Sequence, residues 1–163
     1  MSFQKGIDIF IEKGRCLKKI YLDVCTLCRP YDDQSYPRIR METSAVQLIL
    51  SAVERKMFQL VWSPVHIKEI EATTDQVERI ELLYLIEMTQ ISQNIDVQAT
   101  RCRAEHLLTL GLGVADAAHL AYSESLQADL ISTDDKFVKR SNVIKPAVWI
   151  GNPVAFCEKE ELL

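Results

Sequence analysis

Two aspartates frame the stretch from Gly113 to Phe137, GVADAAHLAYSESLQADLISTDDKF. Asp116 stands at the head of an Ala-rich helical pattern, Asp116 to Gln127. Asp134 follows a short apolar run, Ala128 to Ser132, that reads as a strand. A third acid, Asp23, closes the apolar run KIYLDV near the start of the chain. Taken singly, each has an ordinary explanation: aspartate is a favoured helix N-cap, and a charge at a strand end often marks a turn. In a parallel sheet, however, strand ends and helix starts share one edge, and there the three would converge. Crowded carboxylates repel, and their pKa values rise unless a cation neutralises them. Mg²⁺ or Mn²⁺ is hard and oxygen-liganded. Either can activate water against a phosphodiester, as one ion or as a pair about 4 Å apart.

The elements that must position these acids follow from periodicity and punctuation. Lys19 to Val24 reads as a buried first strand, and Arg29 to Pro37 as a polar turn-rich segment. Arg38 to Met57 reads as a helix, with Ala45, Val46, Ile49, Ala52, Val53 and Met57 at helical spacing. Glu42 shares that inward face. It wants a metal or cation there, or else it favours the helix dipole and pairs with Arg38. Phe58 to Trp62 is a second strand, after which Ser63 and Pro64 open a helix bearing Glu69 and Glu71. Periodicity alone does not say which of these two glutamates points back to the sheet.

Asp75 to Thr89 is a further helix with Val77, Ile80, Leu83, Tyr84 and Met88 on one face. Ile91 to Val97 reads as a third strand, and Thr100 to Leu110 as a helix that Gly111 and Gly113 break. Asp135 to Arg140 is a short helix. Val143 to Ile150, interrupted by Pro146, is an edge strand, and Gly151-Asn152-Pro153 turns the chain into an acidic tail. This alternation predicts an α/β fold, a three-layer α/β/α sandwich around a mostly parallel central sheet. One domain spans 18–152, between an extension over 1–17 and a tail over 153–163. In the extension, Ile7, Ile9, Phe10 and Ile11 could form a short amphipathic element or an extra strand.

A chain of 163 residues has room for one well-buried core. Its net charge of −4 provides no global basic field, so any nucleic-acid contact must come from a local patch. The five scattered cysteines fit free thiols in a reducing compartment. Charges interrupt the N-terminal apolar run, which is therefore neither a secretory signal nor a membrane span. Cytoplasmic localisation is the expectation.

An Asp after strand one, a helix start A-D-A-x-H-L-A and a strand ending S-T-D-D-K-F together resemble the PIN-domain family. That family includes the toxin ribonucleases of bacterial VapBC modules, and the resemblance runs from Lys19 to Ile150. It implies four acids clustered at the carboxyl edge of the sheet, catalytic through the Mg²⁺ or Mn²⁺ they hold. They are Asp23 in YLDVCTL, Glu69 in SPVHIKEI, Asp116 in VADAAHLA and Asp134 in ISTDD. Glu42 remains an extra acid, and Thr26 and Ser132 supply hydrogen bonds behind the acids. The implied reaction is hydrolytic cleavage of single-stranded RNA. Arg29, Arg38 and Lys136, with Arg40, Lys139 and Arg140 nearby, are candidate phosphate contacts. An antitoxin protein and a second copy of the chain, as a homodimer, are the implied partners. Departures from the family pattern are Cys25 directly before Thr26, a longer segment around Arg29 to Arg40, and the N-terminal extension.

Other readings rank lower. Cys25-x-x-Cys28 lacks a second ligand pair at zinc spacing and follows a strand directly, so Cys25 is expected to face the core. Asp23-Val-Cys-Thr26 resembles the D-x-D-x-T start of haloacid-dehalogenase-like phosphatases, but Cys25 replaces their second Asp. His66, His106 and His119 show no metal spacing, and His119, one turn from Asp116, is expected to hydrogen-bond within the core. The alternative from another class is a catalytically weak PIN-like scaffold that binds RNA or a protein partner.

Overall fold

The computed structural model describes residues 17–89 and 94–163. Strand β1, Lys18–Leu22, leads through Asp23 into a single helical turn, α1, Val24–Leu27. After a 3₁₀ turn at Arg29–Tyr31 comes the long helix α2, Pro37–Glu54. Pro37 opens α2, where a missing N–H costs nothing, and Lys56 closes the turn beyond it in the left-handed region (φ 58°). Strand β2, Phe58–Leu60, is followed by α3, Pro64–Glu71, and α4, Gln76–Met88. The second half holds α5, Val97–Thr109, α6, Val114–Leu126, β3, Asp129–Ile131, α7, Asp135–Ile144, β4, Ile150–Gly151, and α8, Pro153–Lys159.

The described strands form one sheet in the order β2–β1–β3–β4, with every pair parallel. Ile20 stands opposite Leu60 on one side and Asp129 on the other, and Leu22 stands opposite Ile131. Strand residues alternate faces. Ile20 and Leu22 accordingly join one apolar cluster with Val46 and Ile49 of α2, Ile86 of α4 and Phe156 of α8. Tyr21 joins a second cluster with Leu107 of α5, Leu120 of α6 and Phe137 of α7. A core on each face of a parallel sheet is compatible with the expected three-layer arrangement.

Several expected elements are drawn differently. No strand forms over 94–97: Asn94 to Asp96 are irregular and Val97 opens α5, while 91–93 lie outside the described residues. The stretch from Val143 to Ile150 is not one strand. Helix α7 continues to Ile144, Lys145 ends it in the left-handed region (φ 56°), and Pro146 cannot donate to a ladder. Only Ile150–Gly151 pairs with β3, at the sheet edge.

The face of α4 toward the core is carried by Leu82 and Ile86, whereas Val77, Ile80, Tyr84 and Met88 are exposed. Met57 is likewise exposed, and on α6 Ser123 is buried where Ser125 is not. Residues 153–163 carry α8, whose Phe156 and Cys157 are fully buried. The expectations for 1–16, including Ile7, Ile9, Phe10 and Ile11, lie outside the described residues. Among the described residues no helix is long and apolar enough to cross a membrane.

Candidate functional site

Asp23 and Asp134 follow the neighbouring central strands β1 and β3, so both stand at the carboxyl edge of the sheet. Asp23 is buried. Its N–H extends the ladder to Ile131 O at 3.2 Å, and its Oδ1 accepts the Thr26 N–H at 3.0 Å, which starts α1. Thr26 ties the two strand ends together: its Oγ1 accepts the Thr133 N–H at 3.0 Å and donates to Ile131 O at 3.3 Å. Ser132 Oγ accepts the Asp134 N–H at 3.0 Å. Asp134 in turn caps α7, its Oδ1 accepting from Lys136 N at 2.8 Å and Phe137 N at 3.1 Å.

Cys25 does not face the core. Its residue area is exposed, yet its Sγ is lodged among polar groups, donating to Asp23 Oδ1 at 3.1 Å with Thr133 Oγ1 at 3.3 Å. Burial of the sulfur and the negative field of Asp23 push this thiol up to about 12. All four described cysteines carry free thiols.

Asp116 sits two residues inside α6 rather than at its cap, which is Gly113. Helix α6 runs back toward the start of β3, so its first turn lies at the same edge as Asp23 and Asp134. The Asp116 carboxylate is half-buried and accepts no hydrogen bond from any described residue. Burial raises its pKa, and so do the charges of Asp134, Asp23 and Glu69, with His119 opposing them.

Glu69, on α3, is tied to α6 through His119, whose Nε2 lies 3.0 Å from Glu69 Oε2. That bond holds the Glu69 carboxyl below its ordinary value. On its other side, His119 Nδ1 is 2.7 Å from Tyr21 OH, and Tyr21 OH is 2.7 Å from Ser63 Oγ. The buried His66 completes the group, with Nδ1 accepting the Ser63 N–H at 3.1 Å and Nε2 donating to Leu22 O at 2.7 Å. Burial and the neighbouring His119 lower His66 to about 4, so it is neutral at pH 7.

The cationic side of the site is largely self-paired. Arg38 grips Asp135 with both Nη atoms at 2.7 and 2.8 Å and reaches buried Glu42 Oε1 through Nε at 2.8 Å. Arg29 binds Asp32 at 2.7 Å, and its Nε lies 2.9 Å from Glu42 Oε2. The Arg29 N–H is not aimed along that line, so this contact is a charge pair without a hydrogen bond. Glu42 is therefore the anion of an arginine clamp. Arg29, Arg38 and Lys136 line an open depression of about 470 Å³ together with Thr133 and Asp134. Lys136 forms no side-chain ion pair among the described residues. Arg40 and Arg140 bond to backbone carbonyls.

Asp116 thus stands in the field of Asp134, Asp23 and Glu69, whereas Glu42 is paired with the arginines in the depression that Asp134 also lines. Among the described residues, no three His, Cys, Asp or Glu side chains are gathered closely enough to hold a metal ion. The donor chemistry nevertheless suits a hard divalent cation: carboxylate oxygens only, one of them unpartnered and crowded by like charge. Sequence reasoning passed over Tyr21 and His66, the floor of the site. The available signal was spacing, since His66 lies three residues before Glu69 and His119 three after Asp116, each pair on one helical face. A cavity of about 800 Å³ is lined by Leu50, Val53, Phe58 and Met88 and by none of the four candidate acids. No family model, curated protein or solved structure matches this chain.

Proposed function

We propose that this chain is a Mg²⁺- or Mn²⁺-dependent endoribonuclease of PIN-like fold that hydrolyses single-stranded RNA. The observation that carries this reading is Asp116: half-buried, without a hydrogen-bond donor among the described residues, and crowded by Asp134, Asp23 and Glu69 at the carboxyl edge of a parallel sheet. Such crowding is unfavourable in the metal-free chain, and a divalent cation is the ligand that would relieve it.

In this reading Asp23, Glu69, Asp116 and Asp134 hold the ion, which supplies positive charge and a more acidic water for attack on phosphorus. The protein's own groups do the rest. Thr26 and Ser132 hold the β1 and β3 ends so that Asp23 and Asp134 keep their separation. Lys136 and the exposed side of Arg38 offer positive charge to a phosphate in the depression beside Asp134. An antitoxin partner and a homodimer belong to the same proposal and rest on the family resemblance, and cytoplasmic localisation rests on the scattered cysteines.

The test is Mn²⁺-dependent cleavage of a mixed single-stranded RNA panel by wild type beside Asp116→Asn. Cleavage by the wild type, lost with EDTA and in the variant, is expected. Cleavage that survives in Asp116→Asn would remove the site from the reading.

A second reading, a scaffold that binds RNA or protein without cutting, is favoured by the self-paired arginines, which leave Arg29 and Arg38 engaged with Asp32, Glu42 and Asp135. It requires that Mn²⁺ leave the melting temperature of the wild type unchanged.

A further inference from the structure

We infer that His119 is a positioning residue that holds the Glu69 carboxylate at the acid cluster through the bond from Nε2 to Oε2. The inference rests on the metal-dependent reading above. A carboxylate can only accept, so the ring proton facing Glu69 sits on Nε2. With that proton placed, Nδ1 is the nitrogen that faces Tyr21 O–H, 2.7 Å away, and takes its proton as acceptor. Burial keeps the Tyr21 phenol protonated. Tyr21 oxygen is left to accept from Ser63 Oγ–H at 2.7 Å. In this arrangement every proton of the chain Ser63–Tyr21–His119–Glu69 has one donor and one acceptor, and Ser63 Oγ also lies 3.3 Å from His66 Nδ1.

The three residues below Glu69 are almost wholly inaccessible, whereas Glu69 itself is partly open, with its side chain 34% exposed. Only Oε2 is engaged, which leaves Oε1 for a ligand. The same chain joins three acid-bearing elements. Tyr21 lies on β1 two residues before Asp23, Ser63 opens the helix that carries Glu69, and His119 lies one turn beyond Asp116 on α6. His66 packs edge-on against both Tyr21 and His119, with ring centroids 4.6 and 5.2 Å away, so neither ring can turn freely. Beside the packing of His66 on His119, the His119–Glu69 bond ties α3 to α6 and so sets the second acid against the third. Hydrogen-bonded partners behind carboxylate ligands usually change metal affinity by about 10–100-fold when removed.

The experiment measures Mn²⁺ dissociation constants by electron paramagnetic resonance on the full chain, together with melting temperatures without metal. Wild type is set beside Asp116→Asn, His119→Leu, His119→Gln and Tyr21→Phe. His119→Leu is expected to weaken binding by about 10-fold or more. His119→Gln, whose amide can still donate to Glu69, is expected to recover most of that loss. Tyr21→Phe, which keeps the ring but frees His119 Nδ1, is expected to lose several-fold. Should His119→Leu fail to fold, the Gln and Phe variants carry the comparison.

Asp116→Asn weakening binding while His119→Leu and Tyr21→Phe stay within twofold of wild type would overturn the inference and leave the metal site standing. Equal losses in His119→Leu and His119→Gln would also overturn it, because the donor would then be irrelevant. A wild type that binds Mn²⁺ no better than Asp116→Asn would remove the metal reading itself, and the inference with it, before any His119 variant is considered.

Discussion

At the scale of single residues, His66 makes stability depend on pH in a definite direction. Its folded pKa, about 4, lies below the ordinary imidazole value because burial and His119 disfavour the charged ring. On acidification the unfolded chain takes up this proton first, so the contribution is complete above pH 6.5 and is lost as pH falls toward 4. The loss should reach roughly 2 kcal/mol by pH 5. Urea midpoints at pH 7 and pH 5 should therefore separate strongly for wild type and much less for His66→Gln. Equal separations would show that His66 titrates normally. The candidate acids were readable from sequence because carboxylates at strand ends and helix starts share an edge in any parallel sheet. Of the imidazoles beneath them, His119 was expected to hydrogen-bond within the core and does, but the partners of neither ring were legible, because a histidine declares its role only through the atoms facing its two nitrogens.

At the scale of elements, each acid has a mechanical task beside any chemical one. Asp134 starts α7 by accepting two backbone N–H groups, as Asp23 starts α1. The two tasks separate by substitution. Asp134→Asn keeps an N-cap of equal quality and should melt within a degree or two of wild type, whereas Asp134→Ala should cost about 1 kcal/mol. Both should lose Mn²⁺-dependent stabilisation and RNA cleavage. A fully active Asp134→Asn would reduce Asp134 to a cap. The order of α2 to α7 was legible from apolar spacing and from Pro and Asp at starts, but the expected tail over 153–163 is the packed helix α8. Strand extents were not: short apolar runs such as Val143 to Ile150 do not say how far the preceding helix continues, which here depends on where Lys145 turns left-handed.

For the whole molecule, the stripe on α4 that the described residues leave exposed bears on assembly. Val77, Ile80, Tyr84 and Met88 recur at heptad-like spacing and are each more than 60% exposed. The proposed homodimer would bury such a stripe against its copy. Ile80→Glu with Tyr84→Glu should then convert a dimer to a monomer in sedimentation velocity at micromolar concentration, with little change in melting of the isolated fold. A wild type that sediments as a monomer throughout would exclude this face as a dimer contact. The apolar spacing of α4 was legible, but its direction was not. Leu82 and Ile86 share the helix with the stripe, and only packing against β1 and α2 decides which side turns inward.

The sequence by itself determined the α/β class, the parallel sheet implied by alternating strands and helices, and the edge on which Asp23, Asp116 and Asp134 meet. These follow from periodicity and chain direction, which are local properties. Tertiary structure alone decided that Arg29 joins the Arg38–Glu42 pair, that Glu69 is held by His119, and that Asp116 has no hydrogen-bond partner among the described residues. Each depends on which side chain from a distant element arrives within about 3 Å, the range in which a hydrogen bond forms at all. No spacing along one helix contains that information.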